Sequence, residues 1–338
     1  MSTSLPLGKL PPEYLAELLG NHTFSLPGDR VLVYPGVGED AAVIDMGERW
    51  LVAKTDPITF ASDEIGWYAV NVNANDIAAA GGVPRWFLST LLLPEARTDR
   101  ALIERIMEQI ASACRSLNVV PCGGHTEVTY GLDRAIVVGV MLGEISPGNL
   151  IRSGGVQVGD VVLLTKGIAV EATAIMAREK EAELSRQFSS AFIERCKGFL
   201  RDPGISVVRE AGIATGTVSV HAMHDPTEGG VATGLWELAM ASKVGLEVDG
   251  DAIHIMDETR ELCRVFGLDP LGVIASGALL IAVSEPDAER ACAALQAAGI
   301  RATPIARAVP PDRSLTLHTT SGVRPLPRFD QDEIARLF

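Results

Sequence analysis

Residues 36–54, GVGEDAAVIDMGERWLVAK, decide between two folds. The run Gly36–Ala41 fits the spacing G-x-G-x-x-G/A of dinucleotide-binding sites, and an acid, Asp56, follows 20 residues after the first glycine. That motif requires a helix directly after its glycines, so that the helix N-terminus meets the pyrophosphate. Here two β-like runs follow instead, 40–45 and 49–54, joined by a short turn, and this pattern predicts a hairpin. We therefore reject a dinucleotide-binding fold.

The predicted hairpin brings charged side chains together at its open end. Asp56, just after the second strand, should lie beside Asp40 at the start of the first. Two carboxylates this close repel each other unless a cation bridges them, and carboxylate oxygens suit Mg²⁺. Lys54 could contact a phosphate. A turn that presents carboxylates to Mg²⁺ is our interpretation; a glycine-rich turn with solvated acids, followed by an ordinary Asp-Pro turn, is the alternative.

Beyond the hairpin, the first part of the chain alternates helices and strands. We expect helices over 63–80 and from Thr98 to 117, strands at 85–93, 117–122 and 135–145, and a polar loop over 123–134. The order β-β-α-β-α-β-β gives an α+β layer with its helices on one face of the sheet. The long strands are apolar on both faces, so the other face also needs a cover. We predict a homodimer through this sheet.

The stretch 146–160, rich in glycine and polar residues, is the best candidate for a linker. It divides the chain into residues 1–150 and 151–338. The second part again predicts an α+β domain, with strands at 160–167, 245–249, 277–283 and 301–309 and helices near 168–182, 188–199, 205–214, 257–266 and 286–298.

Composition restricts the class of function. The chain is 47% hydrophobic, which excludes disorder, and its 29 basic against 43 acidic residues give a net charge of −14. This charge argues against nucleic acid and against anionic membranes as partners. No run reaches the ~18–20 apolar residues of a membrane span, and residues 1–9 do not resemble a signal peptide. Five scattered cysteines without a C-x-x-C pair suit a reducing compartment, so we expect a cytoplasmic protein.

Three polar residues interrupt the otherwise apolar helix over 63–80. Asn71 and Asn75 are spaced i, i+4 and share a face, and Asp76 flanks it. Asparagine and aspartate are poor residues for a helix interior, because they compete for backbone hydrogen bonds. Oxygen ligands for a hard cation would explain them. A buried hydrogen-bond network to neighbouring loops would explain them equally.

Two glycine-containing motifs complete the candidates. Residues 123–127, GGHTE, follow a strand; the glycines allow close backbone approach and the polar residues offer ligand or acid–base groups, although a lone loop histidine is usually just solvated. Residues 224–230, HDPTEGG, lead into a helix whose start offers N–H groups for phosphate. Asp225 or Thr227 could instead simply cap that helix. A zinc site from His125, His221 and His224 is a weaker hypothesis, because a clear third ligand spacing is missing.

Taken in order, GVGEDAAVI, KTDPIT, NVNANDIAAAGGVP, GGHTEVT and HDPTEGGVA resemble the motif series of the aminoimidazole-ribonucleotide synthetase-like (PurM-like) superfamily. Five motifs in a fixed order over nearly the whole chain are far more specific than any one alone. The closest resemblance is to the hydrogenase-maturation, HypE-like group. It implies a two-domain α+β protomer: residues 1–150 as a ferredoxin-like ATP- and Mg²⁺-binding domain that pairs into a barrel-like dimer, and residues 151–338 as a second α+β domain.

The resemblance also implies ATP-dependent chemistry, in which phosphoryl transfer activates an amide, carboxamide or phosphate oxygen of an acceptor. Mg²⁺ would supply the positive charge that this acidic chain lacks. The implied metal ligands are Asp40, Asp56 and Asp76. The implied nucleotide-binding residues are Lys54, Thr55, Asn75, Gly123, Gly124, Thr126, Thr227, Gly229 and Gly230. The implied catalytic residues are His125, Glu127 and Asp225.

Two features depart from the HypE-like pattern. That group ends in Pro-Arg-Ile-Cys, whose cysteine carries the carbamoyl group, whereas the last cysteine here is Cys292. We therefore do not expect a self-modifying, terminal-cysteine carbamoyl dehydratase. His125 stands where the HypE-like group and thiamine-monophosphate kinases carry aspartate, which removes one acidic ligand, whereas selenophosphate synthetases have a similar Gly-Gly-His. The sequence implies an ATP-dependent enzyme with an unidentified acceptor; a non-catalytic nucleotide-binding scaffold that acts with a partner protein is the alternative.

Overall fold

The structure is a computed structural model that describes residue 10, residues 12–59 and residues 61–338. The described residues form two compact units. The N-terminal unit consists of Arg30–Val33 and Asp40–Leu150. The C-terminal unit consists of Tyr34–Glu39 and Ile151–Phe338 together with the described residues up to Asp29, including helix α1 (Pro12–His22). The segment 34–39, which carries part of the first motif, therefore clusters with the C-terminal unit and not with residues 40–150.

The N-terminal unit is a six-stranded sheet with two long helices. Its strands are β1 (Val31–Val33), β2 (Ala42–Asp45), β3 (Trp50–Ile58), β4 (Val83–Pro94), β5 (Val120–Thr129) and β6 (Ile136–Ile145). Its helices are α2 (Ile65–Ala79) and α3 (Arg100–Leu117). The strand order is β1-β2-β3-β6-β4-β5, in which only the β4–β5 pair is parallel among the pairs of the described residues. The predicted hairpin is confirmed as β2–β3, with Val43 opposite Val52.

Two local predictions in this unit are wrong. The expected polar loop after residue 122 is largely strand β5, because Gly124 leaves room for the carbonyl of Ser89, with which a Cβ would collide. Thr98 does not cap α3: its hydroxyl donates to the Pro94 carbonyl at 2.7 Å. The cap is Asp99, whose side chain accepts a hydrogen bond of 2.7 Å from the Leu102 N–H.

Helix α2 packs very closely on the sheet. Nearly all of its residues are buried, and β6 is buried at every second position from Val137 to Ile145. A Cβ at Gly143 of β6 would collide with the Ile77 side chain of α2, so this glycine allows the close approach. The sheet thus has a covered face, under α2 and α3, and an open face. The open face carries the half-buried apolar side chains of Leu51, Val138, Val140 and Leu142.

The C-terminal unit contains a seven-stranded sheet of order β13-β12-β9-β11-β7-β10-β8. Its strands are β7 (Val161–Thr165), β8 (Val220–His224), β9 (Gly245–Asp249), β10 (Leu280–Val283), β11 (Ala302–Val309), β12 (Leu315–Thr319) and β13 (Gly322–Pro325). Its helices after α1 are α4 (Val170–Glu179), α5 (Glu181–Leu184), α6 (Ser190–Gly198), α7 (Val208–Thr217), α8 (Gly230–Ser242), α9 (Asp257–Phe266) and α10 (Glu285–Ala297).

The predicted α+β, two-part class is confirmed. The predicted helix at 257–266 matches α9, and the strand at 301–309 matches β11 within one residue. The short strands β8, β12 and β13 were not expected, because none has a long apolar run. Within the described residues, neither sheet closes into a barrel in one protomer, and no helix has the length and apolarity needed to cross a bilayer.

Candidate functional site

A lysine lies between two carboxylates in the N-terminal unit. Lys54 and Asp56 are two residues apart in β3, so both side chains lie on the covered side of the sheet. Asp76 lies near the end of α2. The Lys54 Nζ atom is 3.3 Å from Asp56 Oδ2 and 3.3 Å from Asp76 Oδ2. The Asp76 side chain is only 5% exposed, whereas that of Asp56 is 34% exposed. We call these three residues the Lys54 cluster.

Asp40 adds a third carboxylate to this side of the unit. One carboxylate oxygen of Asp40 and one of Asp76 lie within 4.8 Å of each other. Mg²⁺ binds oxygen at about 2.0–2.1 Å, so two ligands of one ion are at most about 4.2 Å apart. The two carboxylates are therefore near the spacing that one ion requires. The structure thus pairs Asp40 with Asp76, and it holds Asp56 through Lys54.

An asparagine that the sequence analysis did not select positions this end of β3. Asn73 Oδ1 accepts a hydrogen bond of 2.8 Å from the Asp56 N–H, and its Nδ2 donates to the Asp56 carbonyl at 3.3 Å. Asn71 donates to the Trp67 carbonyl of its own helix at 2.9 Å. Asn71 therefore bonds within its own helix and not to a neighbouring loop, whereas Asn73 bonds the backbone of β3. Asn75 is fully buried in the same helix.

The structure does not bring Thr55, His125 and Glu127 to the Lys54 cluster within one protomer. Because side chains alternate along a strand, Thr55 faces the open face, and its hydroxyl donates to the Gly139 carbonyl at 2.9 Å. His125 and Glu127 of β5 lie on the open face too, exposed, with His125 Nε2 3.1 Å from Glu127 Oε2. In the sheet, β5 is three strand spacings from β3, about 14 Å. Gly123, Gly124 and Thr126 belong to this same distant strand.

The first motif begins in the C-terminal unit, on helix α8. A Cβ at Gly38 would lie 3.6 Å from the Ala241 side chain and 3.8 Å from the Glu237 carbonyl, so the turn runs along this helix. Glu39 Oε1 accepts a hydrogen bond of 2.9 Å from Arg152. Glu39 is therefore held by an arginine of its own unit, which argues for a structural role.

The fifth motif, residues 224–230, follows β8 and leads into α8. Asp225 is 2% exposed. The preceding His224 places its Nε2 2.9 Å from Glu237 Oε2, and both side chains are largely buried. A Cβ at Gly234 would lie 2.6 Å from Pro226, so this glycine lets the motif lie flat on α8. The His224–Glu237 contact could not be predicted from the sequence, because glutamate on an amphipathic helix usually faces solvent.

The two glycines of this motif shape the backbone at the start of α8. Gly229 and Gly230 both adopt left-handed backbone conformations, with φ of +79° and +67°. The Gly229 N–H donates to Asp332 Oδ2 at 2.7 Å, and the Gly230 N–H donates to the Thr227 carbonyl at 3.1 Å. The prediction that these two amides are open to phosphate is wrong, because both are hydrogen-bonded within the unit. Capping by Asp225 or Thr227 is also wrong: the N-cap is Gly229 itself.

Two buried carboxyl groups lie behind the glycines. Burial raises the pKa of Glu171 on α4 to about 8, so this side chain is largely uncharged at neutral pH. Burial also raises the pKa of Asp332 to about 6, against the lowering effect of the Gly229 and Ile334 amides. Asp332 is therefore mostly ionised at pH 7. Neither residue was selected from the sequence, since neither lies in a recognisable motif.

Comparison with known proteins gives consistent matches along the chain. Residues 38–145 match the family model described as AIR synthase related protein, N-terminal domain, and residues 157–317 match the corresponding C-terminal domain. The chain is 32% identical over 257 residues to a putative hydrogenase expression/formation protein of Methanocaldococcus jannaschii, covering 75% of this chain and 73% of that protein.

Two further similarities concern proteins called HypE. The carbamoyl dehydratase HypE of Cupriavidus necator is 30% identical over 267 residues, which cover 77% of this chain and 73% of the relative. The crystal structure of hydrogenase maturation protein HypE in complex with ATP has a TM-score of 0.72 at 24% identity, covering 94% of this chain and 91% of that chain. The fold predicted from the motif series is thereby confirmed.

Proposed function

Because this chain belongs to the AIR synthase related family, we propose that it is a Mg-ATP-dependent enzyme that activates an acceptor oxygen by phosphoryl transfer. Relatives with the name carbamoyl dehydratase, and a protein of the same fold crystallised with ATP, support this class of reaction. The acceptor is an amide, carboxamide or phosphate group. The observation that carries the proposal is the Lys54 cluster, where one lysine bridges two carboxylates beside Asp40.

The donor set fits a hard divalent cation. Asp40, Asp56 and Asp76 are carboxylates, the ligands that Mg²⁺ prefers, and Asp76 is kept away from bulk water. Bound Mg²⁺ would neutralise negative charge on the phosphates during transfer. Asp40, Asp56 and Asp76 would hold the cation, and Lys54 would contact a phosphate oxygen. Asn73 would hold the Asp56 backbone, and Asn75 would lie near the nucleotide.

In the C-terminal unit we assign Asp225 and Thr227 to the phosphate and acceptor side of the reaction. Asp225 is a buried carboxylate at the end of β8 and could hold the proton that the acceptor loses. Gly229 and Gly230 act through backbone shape, since their amides are already hydrogen-bonded.

We further propose that two copies of the chain pair through the open face of the N-terminal sheet. This face is apolar along β3 and β6, yet it is only half-buried in one protomer. A second copy of the chain would cover this face without requiring a different protein. His125 and Glu127 lie on the same face, so pairing would bring the two copies of β5 towards a shared surface. Their proposed catalytic role then depends on the dimer.

The alternative function is a nucleotide-binding scaffold without turnover. Its support is the position of His125 and Glu127, about three strand spacings from the Lys54 cluster in one protomer. An acceptor screen distinguishes the two functions. The protein is incubated with Mg-ATP and panels of carboxamides, amides and phosphate monoesters, and ADP formation is measured.

The proposed enzyme forms ADP in the presence of at least one acceptor class. Lys54→Met should abolish that ADP formation, whereas Lys243→Met, at an exposed lysine after α8, should leave it unchanged. ATP binding without ADP formation on any panel would favour the scaffold. Equal ADP formation by the wild type and Lys54→Met would contradict the assignment of the site.

A further inference from the structure

The last residues of the described chain return to the start of helix α8. We call residues 326–338 the C-terminal segment. A Cβ at Gly272 would lie 2.5 Å from the Phe329 ring, so this ring rests directly on the backbone there. The Glu333 N–H donates to the Gly272 carbonyl at 3.1 Å, and Glu333 Oε2 accepts from the Asp269 N–H at 3.1 Å. Because Ile334 is fully buried, the segment is a packed part of the unit.

Asp332 connects this segment to the fifth motif. Its Oδ2 accepts the Gly229 N–H at 2.7 Å, and its Oδ1 accepts the Ile334 N–H at 2.8 Å. The residue is 6% exposed. One carboxylate therefore hydrogen-bonds both the turn of its own segment and the first glycine of the motif, 103 residues away. A negative charge is also favourable at this place, because Gly229 is the N-cap of α8.

The same motif is held from a second side by the loop that carries Gly272. The Ala232 N–H donates to the Leu271 carbonyl at 3.1 Å, and the Ala275 N–H donates to the Thr227 carbonyl at 3.3 Å. A Cβ at Gly230 would collide with the Leu271 carbonyl. The motif backbone thus lies between the C-terminal segment and this loop, and Asp332 supplies a charged acceptor among these contacts.

We propose that Asp332 is a positioning residue that fixes the Gly229 peptide and thereby sets the position of Asp225 and Thr227 within the motif 224–230. The inference rests on the proposed function, in which these two residues serve the phosphate and acceptor side. Asp332 occupies the amide that an incoming phosphate would otherwise use at the helix start. Phosphate recognition by this motif therefore falls to its side chains. The ionised form of Asp332 at pH 7 suits its role as a positioning residue, since a charged acceptor makes a stronger hydrogen bond to the Gly229 N–H than a neutral one.

The test compares Asp332→Asn with Asp330→Asn, an exposed aspartate two residues earlier. The Gly229 and Ile334 amides donate to different oxygens of Asp332, and asparagine keeps an oxygen at only one of these two places, so its NH₂ would face an N–H donor at the other. Mg-ATP binding is measured by calorimetry, and the melting temperature is measured in parallel. Loss of a charge-assisted hydrogen bond predicts Mg-ATP binding weaker by about tenfold in Asp332→Asn and unchanged in Asp330→Asn.

A control for stability alone is Ile193→Ala, at a buried residue of α6 in the same unit. It should lower the melting temperature and leave Mg-ATP binding unchanged. If Asp332→Asn lowers the melting temperature but binds Mg-ATP as the wild type does, Asp332 is merely structural and the inference is overturned. If the wild type itself binds no ATP, the proposed function fails, and the inference fails with it. If the wild type binds Mg-ATP and Asp332→Asn binds it equally well, only the inference fails, so the two failures are distinguishable.

Hydrogen exchange of the wild type supplies a measurement that needs no variant. Peptides covering 225–230 and 332–335 should gain protection together when Mg-ATP is added, because one carboxylate links them. Protection gained by the motif alone would overturn the inference.

Discussion

The ammonium group of Lys54 lies 3.3 Å from the carboxylate of Asp76, and Asp76 is almost fully buried. Asp56, at the same distance from the lysine, is much more exposed. One cation thus compensates two acids of unequal burial, and Asp40 approaches the more buried one. In the proposed function, these carboxylates would hold Mg²⁺ and Lys54 would contact a phosphate.

Asp76→Asn should weaken Mg-ATP binding by about tenfold or more, because it removes the buried carboxylate that pairs with Lys54 and lies beside Asp40. Calorimetric titration with Mg-ATP measures the change. Asp133→Asn, at an exposed loop residue of the same unit, is the matched control and should bind as the wild type does. Equal binding by wild type and Asp76→Asn would remove Asp76 from the site.

The stability of the protein should fall between pH 7 and pH 9 through Glu171. Burial raises its pKa from 4.5 to about 8, so the folded chain holds a proton that the unfolded chain releases. Such a group contributes fully below the unfolded pKa, and its contribution is lost as the pH rises through about 8. We expect a loss of about 1 kcal/mol over these two pH units.

Urea unfolding at pH 7, 8 and 9 measures this effect. Glu171→Gln, which cannot ionise, should show a flatter dependence on pH. Glu289→Gln, at an exposed glutamate of α10, should follow the wild type. Parallel losses in the wild type and in Glu171→Gln would place the titrating group elsewhere.

Gly143→Ala should destabilise the N-terminal unit by about 1–3 kcal/mol, because its methyl group would enter the space of Ile77 where α2 meets β6. Gly212→Ala is the control, because Gly212 lies inside α7 and no atom beyond its chain neighbours and its own helix backbone comes within 4 Å of the added methyl group. Alanine favours a helix over glycine by up to about 1 kcal/mol. Chemical unfolding should therefore give opposite signs for the two variants. The same sign would argue against the tight packing of α2.

Val140→Asp should convert a dimer into a monomer, because it places a charge in the middle of the open apolar face. Light scattering after size-exclusion chromatography measures the mass of wild type and variant. Val323→Asp, on exposed β13 of the other unit, should remain dimeric. A monomeric wild type would refute pairing through this face.

Local sequence patterns predicted much of the fold. Two β-like runs with a tight turn between them predicted the β2–β3 hairpin, and helical periodicity predicted the bounds of α9. The part of strand β5 after residue 122 was not predicted, because it is polar, contains two glycines and lies exposed at the sheet edge, so it has no apolar alternation. Its existence depends on pairing with β4, a contact that the local sequence does not encode.

The candidate site was predictable in its residue types and less so in its geometry. The motif series selected Lys54 and the aspartates, which the structure does bring together in the case of Asp56 and Asp76. Strand alternation alone could have placed Thr55 on the opposite face from Lys54. Asp332 could not have been found, because its link to Gly229 joins two distant parts of the chain.

The central claim is tested most directly by titrating the wild-type protein with ATP in the presence and in the absence of Mg²⁺, with Lys54→Met titrated alongside. The account predicts that ATP binds with Mg²⁺, that binding is strongly weakened when Mg²⁺ is chelated, and that Lys54→Met loses about tenfold in affinity for Mg-ATP. Absence of ATP binding by the wild type at millimolar nucleotide, or binding that does not depend on Mg²⁺, would contradict it.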